Sequence, residues 1–388
     1  MIGHSVQEIL RNKFKTLYGR EPTTVAYAPG RVEILGNHTD YNEGFVLSAA
    51  INFGTWFALA GRDDSKTRLT AGDIMETVEY PAASPEPSRE HMWSNYVKGV
   101  QAGLNAHQTP EKGVDAMFLG NIPLGAGLSS SAALEMSAGL ALAAHYGITV
   151  EKIELARIGQ AAEHNFAGVK CGLLDQISSL YGAANSLVQT DFRSLKVETV
   201  PIGSDICFLM CNTNVKHALV DGAYNERREA CERAAAYFAT VLSHPVKTLR
   251  DVSWEEWLKH KGGLDDVTAR RAAHPIGENE RVLSGAEMLR GNNLADFGKL
   301  MFESHDSSRR YFENSCPELD TLVDAAKAVP GVLGARLSGG GFGGSVVVLL
   351  HPRDAEAVAA ALRNVYARKY GERCDTRIVE CSSGARVL

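Results

Sequence analysis

The sequence predicts an α+β fold in two domains, on three observations. The chain has 388 residues, and at roughly 150 residues per domain that length makes two or three. Short β-branched and aromatic runs mix irregularly with Ala- and Leu-rich helical runs, without a regular βαβ alternation. From about Ser204 the order changes to a buried strand followed by several helices. The boundary is therefore placed between residues 1–203 and 204–388.

Each element has its own justification. In MIGHSVQEILRNKFKTLYGR, Val6, Ile9, Leu10, Phe14 and Leu17 fall on one helical face among charged residues, which reads as an amphipathic helix and not a signal peptide. TTVAYAP and RVEIL read as short strands, Phe45 to Ala60 as a longer one, and TRLTAG with METVEY as a hairpin. PAASPEPSRE is a surface loop by its Pro and Ser content. Trp93 to His107 reads as a helix and GVDAMFLG as a strand. Ser129 to Tyr146 and Thr149 to Phe166 read as helices, with another starting near Asp175. In the second half, DICFLMCN is a strand, Tyr224 to Thr240 a helix, and more helices run to about Val329. GARLS and SVVVLLHP are strands around a glycine loop, Asp354 to Tyr370 a helix, and TRIVEC a final strand.

Composition excludes several function classes. Hydrophobic residues at 45% and charged ones at 22% are ordinary for a globular enzyme. Forty basic against 46 acidic residues leave a net charge of −6, poor support for a nucleic-acid partner. No apolar run approaches the ~20 residues of a membrane span. The seven cysteines form no C-x-x-C pair and read as reduced thiols of a cytoplasmic protein. No obligatory protein partner is evident.

Three glycine-rich segments carry the chemistry. In PLGAGLSSSAALE, residues 123–135, a strand meets a glycine turn, three serines and a helix. Gly125 and Gly127 let the backbone approach a ligand, and the serines are expected to cap the helix while its N–H groups face outward. Such a helix start suits an anion, and the hydroxyls suit Mg²⁺ beside phosphates, although a plain capped helix would look alike. A Walker A lysine and a kinase H-R-D loop are absent. In GARLSGGGFGG, Gly339, Gly341 and Gly344 match G-x-G-x-x-G, but a strand follows where a dinucleotide fingerprint opens a helix. So many glycines point to close approach to a backbone or phosphate. In APGRVEILGNHTDYNEG, residues 28–44, short polar side chains suit hydroxyl recognition, although a surface loop would carry them too. Asp175 in CGLLDQ is a first-turn helix acid, or else a base or hydroxyl holder.

Together these segments resemble the galactokinase branch of the GHMP small-molecule kinases, over nearly the whole chain. The resemblance rests on GRVEILGNHTDY, PLGAGLSSSAALE, CGLLDQ, HALVDGAYNERREACE, SCPELD and GARLSGGGFGG, in this order and spacing. It implies two α+β domains with the active site between them, and ATP-dependent phosphorylation of a sugar at its anomeric hydroxyl. It makes Asp175 the catalytic aspartate and Arg31 the arginine beside it, able to stabilise phosphoryl charge. Asn37, His38, Asp40, Gly172 and Tyr224 match sugar-contacting positions. Gly125, Ala126, Gly127, Leu128, Ser129, Ser130 and Ser131 match the phosphate loop, and Trp93 a stretch near the adenine pocket. Ser131 and Glu163 match the Mg²⁺-ligating pair, and Gly339, Gly340, Gly341 and Gly343 shape the site. Whether Asp175 is a base or only orients the hydroxyl stays open.

The signature departs from the family at few positions. Asn37 stands where glutamate usually contacts the sugar 6-hydroxyl, and this is the departure that matters. Asparagine keeps a donor and an acceptor but no charge. Galactose therefore leads as substrate, and a C6-altered sugar such as galacturonate or L-arabinose is its rival. Ser338 for threonine is conservative, and Ser48 where proline is common and Glu33 where asparagine is common are lesser departures with no clear consequence. A non-catalytic galactose and ATP sensor would be expected to damage the phosphate loop or lose the aspartate, and here both SSSAA and Asp175 are intact. A mevalonate or homoserine kinase fits HTDY and CGLLDQ less well.

Overall fold

The N-terminus is the expected amphipathic helix, although Ile9 and Leu17, placed on its apolar face from sequence, are exposed. Helix α1 (Val6–Tyr18) starts at a capping box of Ser5 and Glu8 and stops at left-handed Gly19. Its Leu10 and Phe14 are fully buried, and burying each contributes about 1.5–3 kcal/mol. These observations come from a computed structural model that describes residues 5–123, 127–216, 220–371 and 374–388. The α+β class is borne out. By contact the chain divides into two compact units, Met1–Arg31 with Ala50–Gly182 and Ser382–Leu388, and Val32–Ala49 with Ala183–Cys381.

The first unit holds most of β1 (Thr24–Leu35) and β2 (Phe45–Gly61), then β3 (Lys66–Ala71), β4 (Glu76–Pro81) and β5 (Val114–Gly120). Strand order is β1-β2-β5-β3-β4, with a two-residue strand, Arg386–Val387, on the outer edge of β1. β3 and β4 form the expected hairpin, and β3 runs parallel to β5. Helices α2 (Asn95–Asn105), α3 (Ser130–Tyr146), α4 (Lys152–Ala162) and α5 (Leu174–Tyr181) complete it. The core joins Phe57, Leu59, Val97, Val100, Ala138 and Leu142, all almost wholly buried.

Two sequence readings need correction here. TTVAYAP and RVEIL are one strand, not two. Pro29 interrupts the donor ladder, but its carbonyl still accepts a 2.7 Å hydrogen bond from Ser179 Oγ. The helix expected to reach Phe166 ends at Ala162 and continues as a π turn, Glu163–Ala167, closed by left-handed Gly168.

The second unit is described by itself. A hairpin of β6 (Ser186–Asp191) and β7 (Lys196–Pro201), absent from the sequence reading, pairs with Phe45–Ser48 of β2. β8 (Cys207–Lys216) precedes α6 (Val220–Val241), α7 (Trp254–His260), α8 (Asp266–Arg290), α9 (Leu294–Ser307) and α10 (Pro317–Ala328). β9 (Val332–Ser338), β10 (Gly343–Leu350), α11 (Ala355–Tyr370) and β10's neighbour-but-one β11 (Asp375–Val379) follow. The antiparallel sheet has the order β11-β8-β10-β9. Its core packs Leu209, Val346 and Val348 against Leu319, Leu322 and Leu362. A second cluster gathers Cys231, Phe238, Ala272, Ile276 and Phe312. All seven cysteines are free, and Cys207, Cys211, Cys231, Cys316 and Cys374 are buried. No helix among the described residues is long and apolar enough to cross a membrane.

Candidate active site

The first cluster lies in the first unit, where β1 passes the end of the serine-rich loop. A Cβ on Gly30 would overlap the carbonyl oxygen of Leu128, so only glycine lets the two backbones approach. The Arg31 N–H donates to that same carbonyl at 3.2 Å. This fixes where the Arg31 side chain starts. Its Nη1 donates to Gly127 O at 2.7 Å. Its Nε and Nη2 both meet Asp175 Oδ1, each at 2.7 Å. Asp175 stands in the first turn of α5. Its other oxygen, Oδ2, accepts from the Ser129 hydroxyl. Both carboxylate oxygens are therefore held, and the group stays one-quarter exposed.

Ser129 departs from the expected cap. It takes the left-handed conformation at φ 56° and makes no capping hydrogen bond. Its hydroxyl goes to Asp175 instead. A helix start without a side-chain cap keeps donors that suit an anion. Ser130 is exposed, Ser131 half-buried and Leu128 buried. Gly125 and Ala126 lie outside the described residues.

Ser131 and Glu163 come together, with Oγ 3.3 Å from Oε1. Glu163 begins the π turn and is 5% exposed. Gln176 Nε2 donates to Glu163 Oε1 at 3.3 Å and to Glu135 Oε2 at 2.9 Å. Burial and the neighbouring Asp175 charge raise the Glu163 carboxyl, and burial with the Glu163 charge raises Glu135 well above its ordinary value. Gly172 is exposed backbone two residues ahead of α5. Trp93 packs on Phe118 at 5.8 Å and donates Nε1–H to Glu76 at 3.0 Å. Its ring also meets His91 edge-on at 6.5 Å.

The second cluster lies in the second unit. His38 occupies a left-handed position, φ 61°, between the Phe312 and Tyr224 rings at 4.6 and 5.1 Å. Burial pushes its pKa down to about 4, so the ring is neutral near pH 7. Its Nε2–H then donates to Gly340 O at 3.1 Å, and Nδ1 accepts from Tyr41 Oη at 3.0 Å. Asp40 opens the short turn that follows, half-buried. Tyr224 lies in the first turns of α6, and burial raises its hydroxyl.

Asn37 is 1% exposed and fully engaged. Its Nδ2 donates to Glu33 Oε1 at 3.0 Å and to Gly339 O at 2.7 Å. Its Oδ1 accepts from Asn314 Nδ2 at 2.9 Å. The glycine loop joins β9 to β10, and Gly339, Gly341 and Gly343 all have positive φ. A loop that bends this way exposes its carbonyls to side chains, and those of Gly339 and Gly340 are each taken up. Glu33, noted from sequence only as a lesser departure, joins this network with Arg336 and Asn314, which sequence reading missed. The signal for the first two was a charged side chain inside an apolar strand, Glu33 between Val32 and Ile34 and Arg336 between Ala335 and Leu337; Asn314 had none.

Comparison with known proteins identifies the family. Residues 12–61 match the galactokinase galactose-binding signature. Residues 95–183 match the GHMP kinases N terminal domain and 286–368 the GHMP kinases C terminal. A galactokinase of Haemophilus influenzae strain PittEE is 40% identical over 99% of both chains. One of Pasteurella multocida strain Pm70 is also 40% identical, over 99% of this chain and 98% of its own. The crystal structure of Lactococcus lactis galactokinase complexed with galactose is 33% identical, with TM-score 0.91 over 99% of this chain and 100% of that one. The Methanococcus jannaschii mevalonate kinase shares the fold at TM-score 0.64 and 17% identity, over 92% of this chain and 98% of its own. With 40% identity along the full length of its relatives, and with Arg31, Asn37, His38 and Asp40 inside the matched signature, the chain belongs to the galactokinase family of the GHMP kinases.

Proposed function

We propose that this chain transfers the γ-phosphoryl group of ATP to the anomeric hydroxyl of galactose, with Asp175 and Arg31 as its catalytic residues. The observation that carries the proposal is the Asp175 carboxylate, held by Arg31 on one oxygen and Ser129 on the other. A serine hydroxyl already donates to Oδ2, so that oxygen can accept from a sugar hydroxyl and orient it or take its proton. Arg31 and the uncapped start of α3 supply positive charge for phosphoryl oxygens. Phosphoryl transfer asks mainly for positioning and charge stabilisation, and these groups provide both. His38, Asp40, Gly172 and Tyr224 are the proposed sugar-contacting positions, and Trp93 the adenine neighbour. Full-length galactokinase relatives favour galactose over a C6-altered sugar and over a sensor role.

The residues present fit Mg²⁺. Ser131 and Glu163 offer hard oxygen donors 3.3 Å apart. The charges around Glu163 leave a carboxylate raised by burial and by Asp175, a repulsion that a dication would offset. One or two protein oxygens with the phosphates suffice for this ion. When bound, Mg²⁺ would neutralise phosphate charge as the bond to the γ-phosphorus changes hands. Glu163 and Ser131 would hold it, and Gln176 keeps Glu163 in place. A cytoplasmic location belongs to the same proposal, supported by seven unpaired cysteines.

The test is ADP release with Mg-ATP against galactose, glucose, N-acetylgalactosamine, L-arabinose and galacturonate, with mevalonate as control. Galactose well ahead supports the proposal. Galacturonate or arabinose ahead would replace the substrate and keep the mechanism, and mevalonate alone would remove both.

A further inference from the structure

Asn37 and Glu33 depart from the family signature as a pair, and the structure shows why they belong together. Each carries the other's usual side chain: an amide at 37 where glutamate is usual, a carboxylate at 33 where asparagine is common. They face one turn of chain apart, Asn37 Nδ2 donating to Glu33 Oε1 at 3.0 Å. Arg336 Nη1 donates to that same oxygen at 3.0 Å, and to Ile34 O at 3.2 Å. Arg336 is fully buried and Glu33 6% exposed. The two therefore form a buried ion pair with no solvent to replace either partner.

Asn37 has nothing left to donate. Both amide hydrogens are committed, one to Glu33 and one to Gly339 O. Its Oδ1 receives Asn314 Nδ2, which also donates to Gly340 O at 3.2 Å. The Asn314 carbonyl accepts from Phe342 N–H at 2.7 Å. Ser338 Oγ donates to Glu33 O at 3.1 Å. His38 holds Gly340 O from the other side. The glycine loop is thus fastened at Gly339, Gly340 and Phe342 by a network that runs through position 37.

We propose that Glu33 and Asn37 form one coupled unit, with Asn37 a positioning residue for the glycine loop and Glu33 the carboxylate that balances Arg336. On this assignment position 37 sets galactose affinity by holding the loop and His38, not by touching the sugar C6 group. The proposal rests on the galactokinase reading above. A carboxylate at 37 alone would face the Glu33 carboxylate and the Gly339 carbonyl, acceptor against acceptor in a buried site. Exchanging both residues restores one amide opposite one carboxylate. Arg336 Nε and Nη2 have no hydrogen-bond partner among the described residues, and the exchange leaves the Gly339 carbonyl as the one acceptor that loses its donor at position 37.

The experiment is a double-mutant cycle on the full chain: wild type, Asn37→Glu, Glu33→Asn and the exchange of both, with Asn37→Ala beside them. Thermal midpoint and kcat/KM are read for galactose and for 6-deoxygalactose. Asn37→Glu is expected to lower the midpoint and to reduce galactose kcat/KM by about tenfold or more, mostly through KM, and the exchange to recover most of that loss. Asn37→Ala is expected to reduce both sugars alike, leaving their ratio within about twofold of wild type. An exchange no better than Asn37→Glu, or failing to fold, overturns the coupling. A galactose preference that collapses in Asn37→Ala makes position 37 a direct C6 contact and overturns the positioning role. Wild type inactive on galactose would instead refute the functional reading, while the midpoints of the cycle still test the coupling.

Discussion

The two clusters solve opposite problems with similar side chains. Around Asp175, two further carboxyls, Glu163 and Glu135, stand near a single arginine, and burial with mutual repulsion raises both. Around Asn37, each buried charge has a partner: Glu33 meets Arg336, and Glu278 meets Arg281 at 2.6 Å. Glu278 also accepts the N–H groups of Gly36 and Asn37, at 2.9 and 3.0 Å. Burial alone would raise Glu278, but Arg281 and the other surrounding cationic groups prevail and hold it far below the carboxylate range. On the proposed assignment the difference is one of function. A cluster that receives polyphosphate and a cation would keep its negative charges uncompensated, at a cost in stability that its ligands would offset. A cluster that presents a fixed shape to a neutral sugar would instead pair its charges within itself. Mutations in the first should change rate more than stability, and those in the second both.

The largest effect tests the first half of that statement. Asp175→Asn should lower kcat on the order of 10²-fold or more while leaving ATP binding and the thermal midpoint close to wild type. Stopped-time ADP release and calorimetric ATP titration measure the two separately. Near-normal kcat would remove Asp175 from the mechanism. Arg31→Lys is the companion: a lysine cannot reach Gly127 O and Asp175 Oδ1 together, so kcat should fall by about tenfold or more. A variant matching wild type would show that the fork is not used.

Next comes the proposed cation pair. Glu163→Gln keeps the size and the acceptor toward Gln176 but removes the charge. The Mg²⁺ concentration for half-maximal rate should rise about tenfold or more, and Mg²⁺-dependent tightening of ATP binding, read by calorimetry, should weaken with it. Unchanged Mg²⁺ dependence in both readouts would place the cation elsewhere.

Much of this was legible in the sequence, and the failures have physical reasons. The strand at Val114–Gly120 and the helix at Ser130–Tyr146 could be read because strand and helix formers act locally. Arg31 and Asp175 could be paired only through family resemblance, since 144 positions separate them. The Ser129 bond to Asp175 was misread as a cap, because a left-handed φ of 56° at a serine has no sequence signature. The hairpin Ser186–Pro201 was missed because its second strand, KVETVP, is mostly exposed and carries little apolar alternation. Position 33 was dismissed for a deeper reason. The meaning of Glu33 depends on Asn37, Arg336 and Asn314, which are brought to it only by the fold.

A pH titration sharpens the contrast from the side of the sugar cluster. His38 is buried neutral with its pKa lowered from 6.5 to about 4. The unfolded chain takes up the proton first as pH falls, so stability is full above the unfolded pKa and declines from about pH 6.5 to about pH 4. The contribution is on the order of 3 kcal/mol. His38→Gln keeps a donor for Gly340 O and cannot ionise. Its thermal midpoint should therefore lose less than wild type between pH 7 and pH 4.5. Parallel loss in both proteins would mean that His38 is not the titrating group; His274, buried and also pushed down, is then the next to replace.

The smallest effect concerns a pair at the edge of the second cluster, where Arg250 also donates to Glu43 O at 2.8 Å. Asp191 receives both Nη1 and Nη2 of Arg250, and their side chains are 20% and 17% exposed. Burial works against the carboxylate, but Arg250 and the backbone N–H groups of Arg193 and Ser194 outweigh it and bring the pKa down to about 2. A lowered acid stabilises the fold above its unfolded pKa and loses that effect as pH falls through the folded one. Discounted for partial exposure, the pair contributes about 1 kcal/mol. Asp191→Asn should then lower the midpoint by a few degrees at pH 7, with the deficit shrinking between about pH 4 and pH 2. Galactose kcat and KM should stay at wild-type values, because Arg250 keeps its own bond to Glu43 O and Asp191 itself bonds no described residue of either cluster. A kinetic change without a change in midpoint would break the division between stability and rate on which the comparison of the two clusters rests.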